Sequence, residues 1–367
     1  MRLRILSIKL HHYRNYRQLE LLPDSGLCVL TGLNASGKTN ILEAVFLCAL
    51  GRSHRTSHDG ELIRSGAEEG LVVLKIDTAM GVRTIRIELR LKERKRVFLD
   101  GQPIAKSGEL MGALNVVMFS PEDLALVKDG PSERRRFLDM ELSQLQPSYY
   151  YTLQQYNATL KQRNMLLKDF EQADYDTLEL WDAQLAKLGA SITLSRATFV
   201  KELGVVAREL HGIMSCNREE LLVSYQPSIP QVEPKLLAEA MQNALADNIE
   251  RDLYRGNTSI GPHKDDVALF LNGTDVRVYG SQGQQRTTAL SLKLSEIEII
   301  RRVRKDTPVL LLDDVLSELD ADRQAMLFQA VNGCQTMVSC THLEEFTKAG
   351  VDRMQVYEVN NGKVIEL

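Results

Sequence analysis

The chain has 367 residues, of which 44% are hydrophobic and 26% charged, with a formal net charge of −4. That is enough for two domains with cores of their own and ordinary for a globular protein; it excludes a uniformly basic nucleic-acid binder, and neither a bilayer-spanning apolar run nor a signal peptide is expected. Cys28, Cys48, Cys216, Cys334 and Cys340 are scattered and lack C-x-x-C spacing, which fits reduced thiols in a cytoplasm and argues against a disulfide frame or a zinc site.

Residues 3–10 alternate as a strand. Residues 27–30 form a short apolar strand that leads into Gly32-Leu33-Asn34-Ala35-Ser36-Gly37-Lys38-Thr39, a match to the phosphate-loop pattern G-x-x-x-x-G-K-[ST]. Residues 39–50 are strongly apolar, lack proline and stop at Gly51, as a helix with a glycine C-terminal cap does. An antiparallel β region follows: residues 71–77 and 82–91 meet near Met80-Gly81, and Asp100-Gly101 marks another hairpin. From Ser132 the period becomes helical, with Leu153, Tyr156, Leu160 and Leu167, then Trp181, Leu185, Leu188, Ile192 and Phe199, on one stripe. Pro147 breaks the earlier helix, and Asp174-Tyr175-Asp176 reads as a bend, so a single helical hairpin with a core-facing stripe is expected. Residues 226–234 hold Pro227, Pro230 and Pro234 and read as a loop. A helix is expected over 235–253. Residues 267–271 and 275–278 are expected to pair across a type I′ turn at Asn272-Gly273. Residues 284–304 return to helical period, 308–313 form a buried strand, 317–331 a helix and 336–339 a strand; Asn361-Gly362 turns a last hairpin.

The chemistry concentrates in the loop and in two later segments. Backbone N–H groups of a glycine-rich loop and of the helix behind it point at phosphate oxygens. Gly32 and Gly37 allow the tight path, Lys38 is expected to bridge β- and γ-phosphates, and the Thr39 hydroxyl to ligate Mg²⁺. Four apolar residues ahead of Asp313 place its carboxylate at the carboxyl end of a parallel strand, where it too serves Mg²⁺; Asp314 is then placed to orient or deprotonate a water. Ser281-Gln282-Gly283-Gln284 opens a helix, with Ser281 as N-cap, and offers a second anion site. Loop, Ser281 segment and Asp strand in this order resemble the ABC-type ATPases. That resemblance implies a D-loop at Ser317-Glu318-Leu319-Asp320, a switch histidine at His342, and a second subunit whose Ser281 segment closes over ATP. The expected fold is α/β, a phosphate-loop ATPase head of ABC type with an antiparallel β subdomain and a helical second lobe. Residues 1–120 and 300–367 make lobe I and residues 121–299 lobe II.

Beyond the class, the chain resembles the RecF family of bacterial recombination mediators nearly end to end. The resemblance rests on Arg14-Asn15-Tyr16, Gly51-Arg52-Ser53-His54-Arg55-Thr56, Phe119-Ser120-Pro121-Glu122-Asp123-Leu124, Arg134-Arg135-Arg136-Phe137-Leu138-Asp139, Gly261-Pro262-His263-Lys264-Asp265-Asp266 and Asp313-Asp314. It implies that Arg14 and Asn15 lie near the nucleotide, and that ATP with Mg²⁺ drives a head-to-tail homodimer. It further implies a slow, DNA-stimulated ATPase that clamps duplex DNA near single-strand gaps, acts in recombinational repair and the SOS response, and works with RecR and RecO to load RecA. Asp in place of the class's usual Glu at position 314 predicts slow turnover. Ala35 stands where many members have Gly, which calls for a negative φ or adds strain. Asp129-Gly130-Pro131 also departs from the usual Gly-Ser-Pro, and no residue is assigned as the Mg²⁺-sensing Gln. Arg83 to Arg96 is rich in Arg and Lys, as are the 134–136 and 301–305 runs; Arg94, Lys95 and Arg96 are the candidate DNA contacts. An SMC-like head would need a long coiled-coil insertion, and a transporter ATPase a Glu at position 314. A nuclease would need a further metal cluster.

Overall fold

A computed structural model describes residues 3–104, 107–168, 175–229, 232–344, 346 and 353–367. The chain divides into two compact units, residues 1–123 with 293–367, and residues 124–292. The second crossing lies inside a continuous helix, where composition carries no boundary signal.

In the first unit β1 (Arg4–Tyr13) and β2 (Tyr16–Leu21) form a hairpin, and β3 (Leu27–Thr31) leads into helix α1 (Lys38–Leu50). Then come β4 (Glu69–Thr78), β5 (Gly81–Arg90), β6 (Arg96–Leu99), β7 (Gln102–Pro103) and β8 (Val116–Phe119). An antiparallel sheet has the order β2-β1-β4-β5-β6-β7. Along β4 the buried residues are Gly70, Val72, Leu74 and Ile76, alternating with more exposed ones, as a one-sided sheet requires.

In the second unit α2 (Ala125–Lys128) and α3 (Pro131–Leu145) precede the hairpin of α4 (Pro147–Lys168) and α5 (Tyr175–Met214). Pro131 opens α3 at its first turn, where its missing N–H is harmless. Of the expected bend, Asp174 lies outside the described residues. β9 (Leu221–Gln226), α6 (Leu237–Asp247), α7 (Ile249–Arg255), β10 (Asp266–Leu271), β11 (Thr274–Asp275) and α8 (Val276–Tyr279) follow. Strand β9, missed in the sequence, pairs with β10 in a three-stranded sheet. The helix expected over 235–253 is two, broken at Asn248. Asn272 and Gly273 both have positive φ, as a type I′ turn demands, but the returning strand stops at Asp275, whose carboxylate caps Arg277 N–H and starts α8 instead.

The chain returns to the first unit through α9 (Gln282–Arg304), then β12 (Val309–Asp313), α10 (Ala321–Val331), β13 (Thr336–Cys340), β14 (Gln355–Asn360) and β15 (Lys363–Glu366). The helix expected over 317–331 is a 3₁₀ turn at Leu316–Glu318 followed by α10, because Asp320 N-caps Arg323 N–H and restarts the helix there. A second sheet runs β15-β14-β3-β13-β12-β8, parallel except for β15. Every residue of β8, β12 and β13 is buried, as in a strand covered on both faces. α1 packs on β13, β12 and β8 of this sheet and on β4 and β5 of the other; a helix between two sheets must be apolar all round, which explains its weak amphipathicity. Among the described residues no helix is long and apolar enough to cross a membrane.

Candidate functional site

The loop between β3 and α1 is shaped by two glycines. Gly32 has φ +146°, and a Cβ there would stand 2.3 Å from the Val359 carbonyl oxygen. Gly37 has φ +118°, and a Cβ would come within 2.5 Å of Asn15 Nδ2 and 2.8 Å of the Tyr16 hydroxyl. The reason is that the β1–β2 turn grips the loop: Asn15 Nδ2 donates to Ser36 O at 2.8 Å and the Tyr16 hydroxyl to Gly37 O at 3.0 Å. Asn40 Nδ2 in turn donates to Asn15 Oδ1 at 2.9 Å. Ala35 has φ +62°, so the strained alternative foreseen for it is the one adopted. Residues 33–35 are exposed, and α1 has neither a side-chain cap nor an acidic residue in its first turn; the Asn40 N–H bonds Gly37 O at 3.0 Å, and the N–H groups ahead of it are left to an anion. Lys38 Nζ curls back to the carbonyls of Gly32 at 2.7 Å and Leu33 at 3.0 Å. Burial lowers the Lys38 pKa, outweighing the carboxylates of Asp314 and Asp313.

The carboxyl ends of β3, β13 and β12 lie side by side and bring the loop to the acidic pair. Thr39 Oγ1 donates to Asp313 Oδ1 at 2.8 Å, and Ser339 Oγ, opposite Asp313 in the strand register, donates to the same oxygen at 2.6 Å. A hydroxyl and a carboxylate converging at this distance suit a hard cation that takes its other ligands from phosphate and water. Among the described residues no cluster of three or more His, Cys, Asp or Glu side chains offers a denser metal cage. Asp314 is held at φ +52°, its N–H bonded to Ser339 O at 3.2 Å and Ser339 Oγ at 3.0 Å. Ser339 was missed in the sequence; its signal is a hydroxyl residue at the end of the strand neighbouring the Asp strand. Ser317 Oγ donates to Asp314 O at 2.9 Å, while Asp320 serves α10 as its cap. His342 lies exposed just beyond β13.

Arg14 is engaged on the flank of α1. Its guanidinium grips Glu43 through Nε at 2.8 Å and Nη2 at 2.7 Å and reaches Glu61 O at 2.9 Å. Glu43, on α1, is fully buried and also accepts from Ser53 Oγ at 2.6 Å. Burial pushes the Glu43 carboxyl up, but the bonds from Arg14 and Ser53 outweigh it and hold the group below its ordinary range. The Arg-Asn-Tyr and Gly-Arg-Ser segments thus brace α1, and Glu43 is a partner the sequence did not single out. Of the candidate DNA contacts, Lys95 is held by Asp59 at 2.8 Å, Arg96 lies 3.5 Å from Glu93, and Arg94 is exposed.

In the second unit Ser281 and Gln284 form a capping box at the start of α9. Gln284 N–H donates to Ser281 Oγ at 3.3 Å and Ser281 N–H to Gln284 Oε1 at 2.8 Å. Of the Arg134–Arg136 run, Arg136 is exposed while the other two are spent inside the unit. Arg134 is buried, with Nε 2.6 Å from Asp266 Oδ1, and Arg135 donates to Asp265 O at 2.7 Å. Arg196 adds bonds to Pro262 O at 2.6 Å and Asp139 Oδ1 at 2.7 Å, so the Arg-Arg-Arg and Gly-Pro-His motifs lock onto each other.

The RecF/RecN/SMC N-terminal domain family matches residues 4–365. The DNA replication and repair protein RecF of Lachnoclostridium phytofermentans is 46% identical over 362 residues, 98% of this chain and 99% of that protein. The chain belongs to the RecF family. A structure of the recombination mediator protein RecF with ATPrS in the RecFOR pathway superposes with a TM-score of 0.93 at 34% identity, covering 100% of this chain and 98% of that one. The RecF–ATP structure of the same pathway gives 0.92 at 34% identity, with the same coverage. Likeness at this level along the whole chain decides for RecF over the SMC-like and transporter readings, and with it for an ABC-type ATPase head and a role in DNA repair.

Proposed function

We propose that this RecF-family protein is an ATP-gated DNA clamp of recombinational gap repair. The observation that carries the reading is the meeting of Thr39 and Asp313 at the carboxyl end of the parallel strands, beside a loop whose helix has no side-chain cap at its N-terminus. ATP binds with its phosphates along residues 32–39, and Lys38 exchanges the Gly32 and Leu33 carbonyls for β- and γ-phosphate oxygens. Thr39 and Asp313 would hold Mg²⁺, which would supply positive charge against the phosphates. Asp314 orients a water and takes its proton as the water oxygen attacks the γ-phosphorus and the bond to the leaving ADP oxygen breaks. His342 contacts the γ-phosphate. Arg14 and Asn15 act on the nucleotide indirectly, by bracing α1 and the loop. Asp314 is one methylene shorter than Glu, so turnover is slow, well below a typical kcat of about 10 s⁻¹.

Ser281 to Gln284 of a second copy close over the same triphosphate, with Ser317 and Asp320 of the D-loop beside the seam, and the resulting head-to-tail dimer grips duplex DNA near gaps. DNA speeds hydrolysis, hydrolysis reopens the clamp, and RecR and RecO take part in loading RecA, in gap repair and in the SOS response. Support comes from the RecF structures with ATP and its analogue and from their place in the RecFOR pathway.

Sedimentation velocity with Mg²⁺ and a non-hydrolysable ATP analogue tests the cycle. The wild type is expected to pass from monomer to dimer, and duplex DNA to favour the dimer. Lys38→Met is expected to stay monomeric for want of nucleotide, whereas Ser281→Arg binds nucleotide and stays monomeric. A wild type that remains single at saturating analogue, or a Ser281→Arg protein that dimerises, overturns the sandwich.

A further inference from the structure

The first turn of α9 is tied to the end of α5 by hydrogen bonds that the reading above leaves unused. Gln284 spends its carbonyl on Ser281 N–H, and its Nε2 donates to Glu219 Oε1 at 2.9 Å. The other Glu219 oxygen, Oε2, lies 3.1 Å from His211 Nε2, and His211 Nδ1 lies 3.1 Å from Ser291 Oγ. His211 is fully buried in the last turn of α5, and Glu219 is partly buried in the turn before β9. Burial works to raise the Glu219 carboxyl, but the bonds from Gln284 and His211 hold it below its ordinary range, so it is a carboxylate that only accepts. His211 Nε2 must then be the donor. Each polar end of Gln284 is thereby committed, which fixes the side chain in one conformation. A lone pair of Ser281 Oγ is taken by Gln284 N–H, so the Ser281 hydroxyl keeps its own proton for an acceptor outside the box.

We propose that Glu219, steadied by His211, is a positioning residue for the signature segment: it locks Gln284, and through the capping box it aims the Ser281 hydroxyl at an anionic oxygen of a triphosphate bound to a second copy. The proposal rests on the reading of the Ser281 segment as half of a shared nucleotide site. A glutamine at this position can do the same work, since its carbonyl accepts from Gln284 while its amide donates to His211 in the other tautomer. An alanine cannot.

The test compares wild type, Glu219→Ala and Glu219→Gln as full-length proteins in two measurements. In sedimentation with Mg²⁺ and the ATP analogue, Glu219→Ala is expected to dimerise roughly tenfold more weakly, the cost of losing the bond that Gln284 makes to a charged group. Nucleotide binding by its monomer is expected to stay unchanged, and Glu219→Gln to match wild type. In hydrogen exchange of the nucleotide-free monomer, peptides spanning residues 281–288 are expected to lose protection in Glu219→Ala alone. Equal dimerisation and equal protection in all three proteins overturn the proposal, as does a Gln variant as weak as the Ala variant. A wild type that never dimerises sinks the clamp reading, while the exchange comparison still decides whether Glu219 orders the segment.

Discussion

Ala35 holds a left-handed backbone in the most exposed part of the phosphate loop. A left-handed non-glycine residue costs about 1–2 kcal/mol, and glycine returns about 0.5–1 kcal/mol of that through unfolded-state entropy. Ala35→Gly is therefore expected to leave stability unchanged or raise it by up to about 1.5 kcal/mol, read from the urea midpoint; a clear loss of stability would show that the Ala35 conformation carries no strain. Asp314 also sits at positive φ, but its N–H bonds to Ser339 hold it there. Asp314→Asn keeps those backbone bonds and removes only the proton acceptor. It is expected to bind ATP normally, to slow single-turnover hydrolysis by about 10²–10⁴-fold, and to accumulate as the dimer. Hydrolysis at the wild-type rate would take Asp314 out of the chemical step.

Among the elements, the Gly-Pro-His turn before β10 has the clearest pH signature. Tyr156 Oη lies 2.7 Å from His263 Nδ1 and His263 Nε2 lies 3.0 Å from Thr258 O, so the half-buried ring has a partner at each nitrogen while neutral. Burial, assisted by Lys264 and Arg135, lowers its pKa from 6.5 to about 4, against the bond to Thr258. Because the folded value is the lower one, the unfolded chain binds the extra proton between these limits. The stabilisation is full above pH 6.5 and is lost as pH falls toward about 4. It amounts to about 3 kcal/mol at 1.36 kcal/mol per unit. Denaturation across that range should therefore show a steeper loss in the wild type than in His263→Gln, and parallel curves would refute a His263 held neutral by the fold. The same elements show why strand–loop–helix order was legible and the boundaries were not. Gly51 and the Asn272-Gly273 pair stop or turn the backbone by local sterics alone. The end of β11 and the start of α10 depend on Asp275 and Asp320 side chains finding particular N–H groups, a choice made only once the chain is placed.

For the whole molecule, the excess of acidic residues means that DNA must be met by local basic surface. Much of the Arg-rich 83–96 segment is already paired: Arg83 with Asp100, Arg86 with Glu88, Arg90 with Glu93 and Lys95 with Asp59. Binding of duplex DNA by the ATP-bound dimer is accordingly expected to weaken steeply with salt, log K falling by about 0.9 per phosphate contacted per unit of log salt, with little dependence on sequence. Salt-independent binding would mean that phosphates are not what the clamp holds. The phosphate loop, the Asp strand and the Ser-Gln-Gly-Gln helix start were determined by sequence alone, because each depends on residues adjacent in the chain that fix local backbone geometry. Only the tertiary structure decided which distant groups serve them. Ser339 on Asp313, Asn15 and Tyr16 on the loop, Arg14 on Glu43 and Glu219 on Gln284 are side-chain partners brought together by sheet order and packing, and no spacing in the sequence encodes a contact made across the fold.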